Sequence, residues 1–278
     1  MATESYSGLQ LAITKGVASV TIDHPPINLF DPTLIADFDK ASRALAENPE
    51  VRVVVLQSAN PDFFIAHADV LTIQRLPPPG EAGAEALTAF HQVIERFRKM
   101  PKATIAKIEG RCRGGGSELA LGCDMRFAAI GRAIMSQPEV GLGIIPGGGG
   151  STRLPRLIGR ARALEIILGC ADFDAELAER YGYVNRALPA NEIGTFVDQI
   201  ANRIAGFPAE AIAIAKEAVI TSDAGLEEAL AKERELFLRS AHTDSASKRM
   251  AAAMAAGLQT EALETAGLDD LWASLDGL

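Results

Sequence analysis

Three consecutive glycines run straight into a serine and a glutamate, Gly114-Gly115-Gly116-Ser117-Glu118, and a second glutamate follows in Ser136-Gln137-Pro138-Glu139. A glycine run lets the backbone approach a ligand without side-chain obstruction, and Ser117-Glu118-Leu119-Ala120-Leu121 reads as the first turn of a helix. The N–H groups at such a start lack intrahelical partners and can hold negative charge developing on a substrate oxygen. The two glutamates add a means of proton transfer. Glu118 lies in an apolar helix start, and Glu139 precedes Val140-Gly141-Leu142-Gly143-Ile144-Ile145. Weakly polar surroundings raise a carboxyl pKa and favour proton exchange with a substrate. Spacing alone does not say whether the two face each other.

Other chemistries find less support. The second glycine stretch, Gly147 to Gly150, lacks the Gly-Lys-Ser/Thr ending of a phosphate loop and reads as a flexible turn and helix start that shapes a pocket. Neither Ser117 nor Ser151 lies in GxSxG, and no HExxH occurs. The histidines, His24, His67, His91 and His242, lack metal-ligand spacing, so no metal is expected. Cys112, Cys123 and Cys170 suggest neither a disulfide framework nor a zinc site, which fits a reducing cytosol. A net charge of -9 argues against a broad nucleic-acid footprint. No secretory signal is legible at the N-terminus, and no apolar run approaches the roughly 20 residues that cross a bilayer. A soluble cytoplasmic protein is expected. Arg153, Arg156, Arg160 and Arg162 are expected on an exposed helical surface or a subunit contact.

The elements that must position these groups are partly legible. With 278 residues and 48% hydrophobic content the chain can bury a sizeable core. LQLAIT and VASVTID, separated by Lys15-Gly16, predict an edge hairpin. Helical spacing from Leu34 to Asn48 precedes the β-branched run Val51 to Leu56, and Ala86 to Met100 precedes Thr104 to Ile108. Strand, helix, strand in that order implies crossovers and a sheet at least partly parallel. Leu76-Pro77-Pro78-Pro79-Gly80 reads as a stiff surface loop. After Gly150 the chain reads as nearly all helix, with segments at 161–168, 175–181, 192–205, 209–221 and 226–241. A boundary near 200 divides an α/β core, 1–200, from a helical C-terminal region, 201–278.

GGGSELALGCDMRFA, SQPEVGLGIIPGGGGSTRLPRLIG and AERYGYVNRALP, with HPPINLFD, VRVVVLQSANPDFFIAHADV and MPKATIAKIEG before them, resemble the crotonase superfamily of enoyl-CoA hydratases and isomerases in matching order. The resemblance spans roughly residues 10–260 and weakens after about residue 190. It implies a spiral of ββα units with a helical C-terminal region that assists trimer formation and closes the active site. It also implies a homotrimer or dimer of trimers, and a role in fatty acid metabolism. Carried over by position, the backbone N–H groups of Ala68 and Gly115 form an oxyanion hole for a thioester oxygen. Ala66, His67, Asp69, Gly114 and Arg113 fall at substrate-binding positions. Glu118 and Glu139 are the paired carboxylates of members that hydrate a carbon–carbon double bond. The resemblance gives Glu139 the C2 proton and Glu118 the activation of water. It implies an acyl-CoA substrate, so CoA is part of the substrate and no separate cofactor is expected.

A Δ3,Δ2-enoyl-CoA isomerase or an acyl-CoA thioester hydrolase on the same scaffold is the alternative within enzymes, and a non-catalytic acyl-CoA-binding protein the alternative outside them. Three departures stand out. His67 replaces the usual glycine of the oxyanion loop; as a neutral imidazole it either points away and leaves the Ala68 N–H free or helps select the substrate. Arg113 replaces a small or apolar residue and either joins an ion pair or binds an acidic substrate group. The C-terminal sequence lacks the phenylalanine-rich basic ending of many relatives, so no lysine contact to the CoA nucleotide is assigned.

Overall fold

The computed structural model describes residues 5–78, 89–223 and 225–275. β1 (Leu9–Thr14) and β2 (Val17–Ile22) form the expected hairpin, antiparallel with Leu9 opposite Ile22. Lys15 and Gly16 both take positive φ, the backbone that a tight two-residue hairpin turn requires. α1 (Pro32–Glu47) starts on Asp31, whose side chain accepts from the Leu34 N–H, with proline at the head of the helix.

From here one move repeats. A long strand of a large sheet is followed by a three-residue strand of a small sheet and then a helix or helical turn. β3 (Val53–Ser58) leads to β4 (Phe63–Ile65) and the short α2 (Val70–Ile73). After α3 (Ala89–Lys99), β5 (Ala103–Ile108) leads to β6 (Arg111–Arg113) and α4 (Gly115–Leu121). β7 (Met125–Ile130) leads to β8 (Ile134–Ser136) and a single 3-10 turn, Glu139–Leu142. Of the helix expected over 86–100, residues 86–88 lie outside the described residues, as do Pro79 and Gly80 of the expected loop.

The remaining elements are α5 (Gly150–Ile158), α6 (Arg160–Gly169), β9 (Phe173–Asp174), α7 (Ala175–Tyr181), β10 (Arg186–Pro189), α8 (Ile193–Ala205), α9 (Ala209–Ile220), α10 (Leu226–Ala241), α11 (Asp244–Ala255), α12 (Glu261–Ala266) and α13 (Asp269–Ser274). The expectation of nearly unbroken helix after Gly150 is therefore corrected by two strands. β10 pairs in parallel with β7 at the edge of the large sheet, and β9 pairs antiparallel with β8 in the small one. Neither is long enough for a period to show, and Pro189 in β10 is tolerated at a sheet edge.

The large sheet runs β1-β2-β3-β5-β7-β10 and the small one β4-β6-β8-β9. Alternation along β3 divides two cores: Val54 and Leu56 join Phe38, Phe64 and Phe97, whereas Val53 and Val55 join Val197 and Ala201 of α8. A third apolar cluster joins Val70, Leu142 and Ile144 to Phe237, Leu238, Met250 and Leu271 of the C-terminal helices. The small sheet matters most for the site. β4, β6 and β8 are parallel neighbours, so the chain leaves all three on the same side, and the carboxyl ends of parallel strands are where such folds place ligands. The segments that follow them carry Ala68, Gly115 and Glu139.

This convergence demands close approach of backbones. A Cβ at Gly116 would lie 2.6 Å from the Ile65 carbonyl oxygen. Gly116→Ala is expected to destabilise the fold by about 1–3 kcal/mol through overpacking, read as a lower urea midpoint; an unchanged midpoint would show that α4 does not press on β4.

Candidate active site

Gly114 follows β6 with φ 47° and ψ −121°, a conformation that side chains disfavour, and its N–H donates to Ser136 O at 3.0 Å. This turn sets Gly115 as the first residue of α4, with its N–H among the unpaired donors of a helix start. On the facing loop, Phe30 N donates to His67 O at 2.9 Å and Asp69 N donates to Phe30 O at 3.2 Å, so the backbone pairing passes over the Ala68 N–H. A Cβ at Gly115 would lie 3.4 Å from the Ala68 nitrogen. The two donors are thus neighbours, brought together from β4 and β6. Both line a cavity of about 200 Å³ whose walls include Phe30, Ile73, Phe90 and Phe237 and whose polar groups include Glu118 and Glu139.

Glu118 is buried, and its Oε1 accepts from Gly148 N at 2.7 Å and from Gly150 N at 2.9 Å. Gly150 opens α5, so the carboxylate sits at a helix N-terminus, where the dipole favours negative charge. The second glycine stretch is therefore a donor loop for a side chain of the protein itself. Between those two donors, Gly149 N reaches Glu233 Oε1 of α10 at 2.5 Å. Three successive backbone N–H groups thus hold two carboxyl groups.

Burial raises the Glu118 pKa to about 6, while the Gly150 and Gly148 N–H groups and Arg153 restrain it. Glu139 is raised well above the usual range, first by burial and then by the negative charge of Glu118. Glu233 is raised to about 8 by burial and again by Glu118. Glu118 is therefore the member that ionises first and Glu139 the one that holds its proton longer, because like charges in a desolvated space repel. The Gln137 amide lies 3.1 Å from Ser117 Oγ and from both Glu139 oxygens, and with its nitrogen toward Glu139 it satisfies all three. Ser117 Oγ is in turn 2.7 Å from the Tyr183 hydroxyl. This chain from Tyr183 to Glu139 carried no sequence signal beyond two residues standing next to the glutamates.

Of the other expected site residues, Asp69 lines the cavity but spends its carboxylate on α2, accepting from Leu71 N and Thr72 N at 3.1 Å. Ala66 is buried behind it, its N–H bonded to Ile27 O at 3.2 Å. His67 lies outside that cavity's lining. Its Nδ1 is 2.9 Å from Ala68 O and its Nε2 is 2.9 Å from Glu264 Oε1. Both partners offer acceptor oxygens, and Glu264, which also accepts from Gln259 N and Arg113 Nη1, favours a proton on each ring nitrogen. Burial opposes that charge, but the Glu264 carboxylate outweighs it and raises the pKa. The neutral imidazole of the sequence reading thus meets a carboxylate partner that favours its charged form. Arg113 is fully buried, with Nε 2.8 Å from Asp172 Oδ1, Nη2 2.5 Å from Asp172 Oδ2 and Nη1 3.2 Å from Glu264 Oε2. Of its two sequence readings the structure takes the ion pair, and no exposed guanidinium remains for an acidic substrate. Arg153 is likewise turned inward onto Glu95, unlike Arg156, Arg160 and Arg162, which are exposed. The three cysteines are free and buried. Among the described residues no helix is long and apolar enough to cross a membrane, and no group of His, Cys, Asp and Glu could hold a metal ion.

Parallel small-sheet strands that deliver two backbone donors and two carboxyls to one apolar cavity define a crotonase-type protein. The match to the enoyl-CoA hydratase/isomerase family model covers residues 12–256, and the chain belongs to that family. A short-chain-enoyl-CoA hydratase of Clostridium acetobutylicum is 33% identical over 223 residues, 80% of this chain and 84% of its own. A Mycobacterium tuberculosis protein provisionally named as an enoyl-CoA hydratase is 34% identical over 251 residues, 89% of this chain and 95% of its own. Among solved structures, an enoyl-CoA hydratase of Mycobacterium avium subsp. paratuberculosis superimposes with a TM-score of 0.80 at 25% identity, covering 90% of this chain and 100% of its own.

A Cβ at Gly148 would collide with the Phe90 ring and the Glu118 carboxyl. Gly148→Ala is expected to displace the donor loop and, by weakening the N–H bonds that restrain it, to raise the Glu118 pKa above about 6. An NMR titration of the Glu118 side-chain carboxyl in parent and variant checks this, and a variant midpoint at or below the parent's would contradict it.

Proposed function

We propose that the protein is an enoyl-CoA hydratase, a hydro-lyase that adds water across the 2,3 double bond of a 2-enoyl-CoA thioester. The observation that carries this reading is the pair Glu118 and Glu139 in one cavity with Ala68 and Gly115. The Glu118 carboxylate takes a proton from water as its oxygen bonds to C3. The C2–C3 π electrons move toward the thioester carbonyl, and the resulting enolate oxygen rests on the Ala68 and Gly115 N–H groups. C2 then takes the proton of the Glu139 carboxyl. Solvent exchange returns a proton to Glu139 and removes one from Glu118, which restores the starting state. Loss of one such backbone donor costs roughly 3–4 kcal/mol in comparable sites. An isomerase working with a single carboxylate would leave one member of the pair idle.

CoA enters as part of the substrate in this reading, and the chain is a cytoplasmic enzyme of fatty acid metabolism. It acts as a homotrimer or a dimer of trimers. Support for assembly comes from α9, which has no buried residue although it is rich in alanine and isoleucine, and from Phe207 and Val219, which are 52% and 72% exposed and line an apolar groove. A surface of that kind calls for a covering partner. Light scattering is expected to give a mass of three or six chains, and a mass of one chain would contradict assembly.

Loss of the conjugated-thioester ultraviolet absorbance over a panel of trans-2-enoyl-CoA substrates tests the reaction. Glu118→Gln and Glu139→Gln are each expected to lower kcat by about 10²–10⁴-fold, the usual weight of general acid–base catalysis. Binding of acyl-CoA with no turnover in the parent protein would contradict the hydratase reading. The pH profile of kcat/KM should be a bell. Activity rises with pH through about 6 as Glu118 ionises, and falls again at the higher pH where Glu139 loses its proton. A profile flat between pH 5 and 7 would contradict the assignment of Glu118 as base.

A further inference from the structure

Glu264 belongs to α12, is fully buried and is not among the residues that line the main cavity. Its Oε1 faces His67 Nε2 at 2.9 Å and also accepts from Gln259 N at 3.0 Å. Its Oε2 faces Arg113 Nη1 at 3.2 Å, and its own backbone carbonyl accepts from the same nitrogen at 3.2 Å. His67 immediately precedes Ala68, and Arg113 stands two residues before Gly115. One carboxylate therefore links the two segments that carry the cavity's N–H donors.

The grip extends on both sides. Gln259 Nε2 donates to Asp69 Oδ1 at 3.1 Å, so the C-terminal turn holds the residue after Ala68 as well as the residue before it. Asp172 anchors the far side of Arg113, and Arg111 Nη2 donates to Thr265 O at 2.5 Å. His67, Glu264, Arg113 and Asp172 form one continuous chain of hydrogen-bonded titratable groups. Breaking one member leaves a neighbouring charge buried without its partner, which proteins tolerate poorly.

We propose that Glu264 is a positioning residue of the active site: by bridging His67 and Arg113 it fixes the spacing and direction of the Ala68 and Gly115 N–H donors, making α12 part of the oxyanion hole. The inference rests on the reading of those two N–H groups as the oxyanion hole. Glu264 itself touches no substrate. Its effect travels through the two buried cations onto the backbone that follows each of them. His67, which departs from the family pattern, then has a function: it is the contact by which the C-terminal segment reaches the oxyanion loop.

The direct readout is the infrared stretching frequency of a carbonyl-¹³C-labelled saturated acyl-CoA thioester bound to the full chain, since hydrogen bonds from the hole lower that frequency and no turnover is needed. Glu264→Gln is expected to lose most of the lowering seen with the parent protein, and to reduce kcat for enoyl-CoA hydration by about ten-fold or more with a smaller change in KM, as removal of a transition-state interaction requires. His67→Gln combined with Glu264→Gln removes one buried cation with the anion and allows a neutral side-chain contact across the same gap. It is expected to recover part of the frequency shift. A Glu264→Gln protein that binds the labelled thioester with the parent's carbonyl frequency would overturn the proposal, whatever its melting temperature. If the parent lowers the frequency yet hydrates no enoyl-CoA, the hydratase reading fails while the positioning role is still decided by the variant.

Discussion

Two carboxyl groups beside one apolar cavity cannot both ionise without a large desolvation and repulsion penalty, and much of this structure is arranged around that constraint. Backbone donors select which of the two carries the charge. Gly148 and Gly150 turn their N–H groups onto Glu118 at the start of α5, so charge settles there despite burial. Glu139, buried and facing the negative charge of Glu118, keeps a proton to higher pH. Identical side chains thus differ in how readily they give up a proton. Glu233 responds to the same field: Gly149 holds it within the same loop, and its pKa is pushed to about 8.

The second requirement is that distant stretches of chain meet at one point. Parallel pairing of β4, β6 and β8 meets it, because three short strands release their chains on one side of the small sheet. The loop with Ala68, the glycine run and the turn with Glu139 follow from those three ends. Glycine is obligatory where backbones press together: Gly116 against Ile65, and Gly114 with its positive φ close to Glu139. The C-terminal helices close the arrangement, adding Phe237 to the cavity wall and Glu233 to the donor loop.

Much of this was legible in the sequence. The hairpin announced itself by two β-prone runs around Lys15-Gly16, α1 by its apolar period, and the residues that line the candidate site by a glycine run beside Glu118 with Glu139 following. These are local signals, carried by neighbouring residues. What the sequence hid depends on contacts between distant residues. β10 is only four residues long and is defined by its partner β7. Glu233 and Glu264 are two among 36 acidic residues, and nothing beside them in sequence predicts burial. The partner of His67 is a carboxylate 197 residues away, which no reading of the loop before Ala68 contains. Gly148 and Gly150 were visible as a turn, but not as donors, because the carboxylate they hold lies on another helix.

The central claim is that Glu118 and Glu139 share a single proton near neutrality. Infrared difference spectra between the parent protein and Glu139→Gln, recorded at pH 7, test it most directly, because Glu233 is common to both and cancels. The account predicts a protonated carboxyl band present in the parent and absent from the variant. It also predicts that in Glu118→Gln, where the repelling charge is gone, that band titrates away at lower pH. An ionised Glu139 at pH 7 in the parent would contradict it.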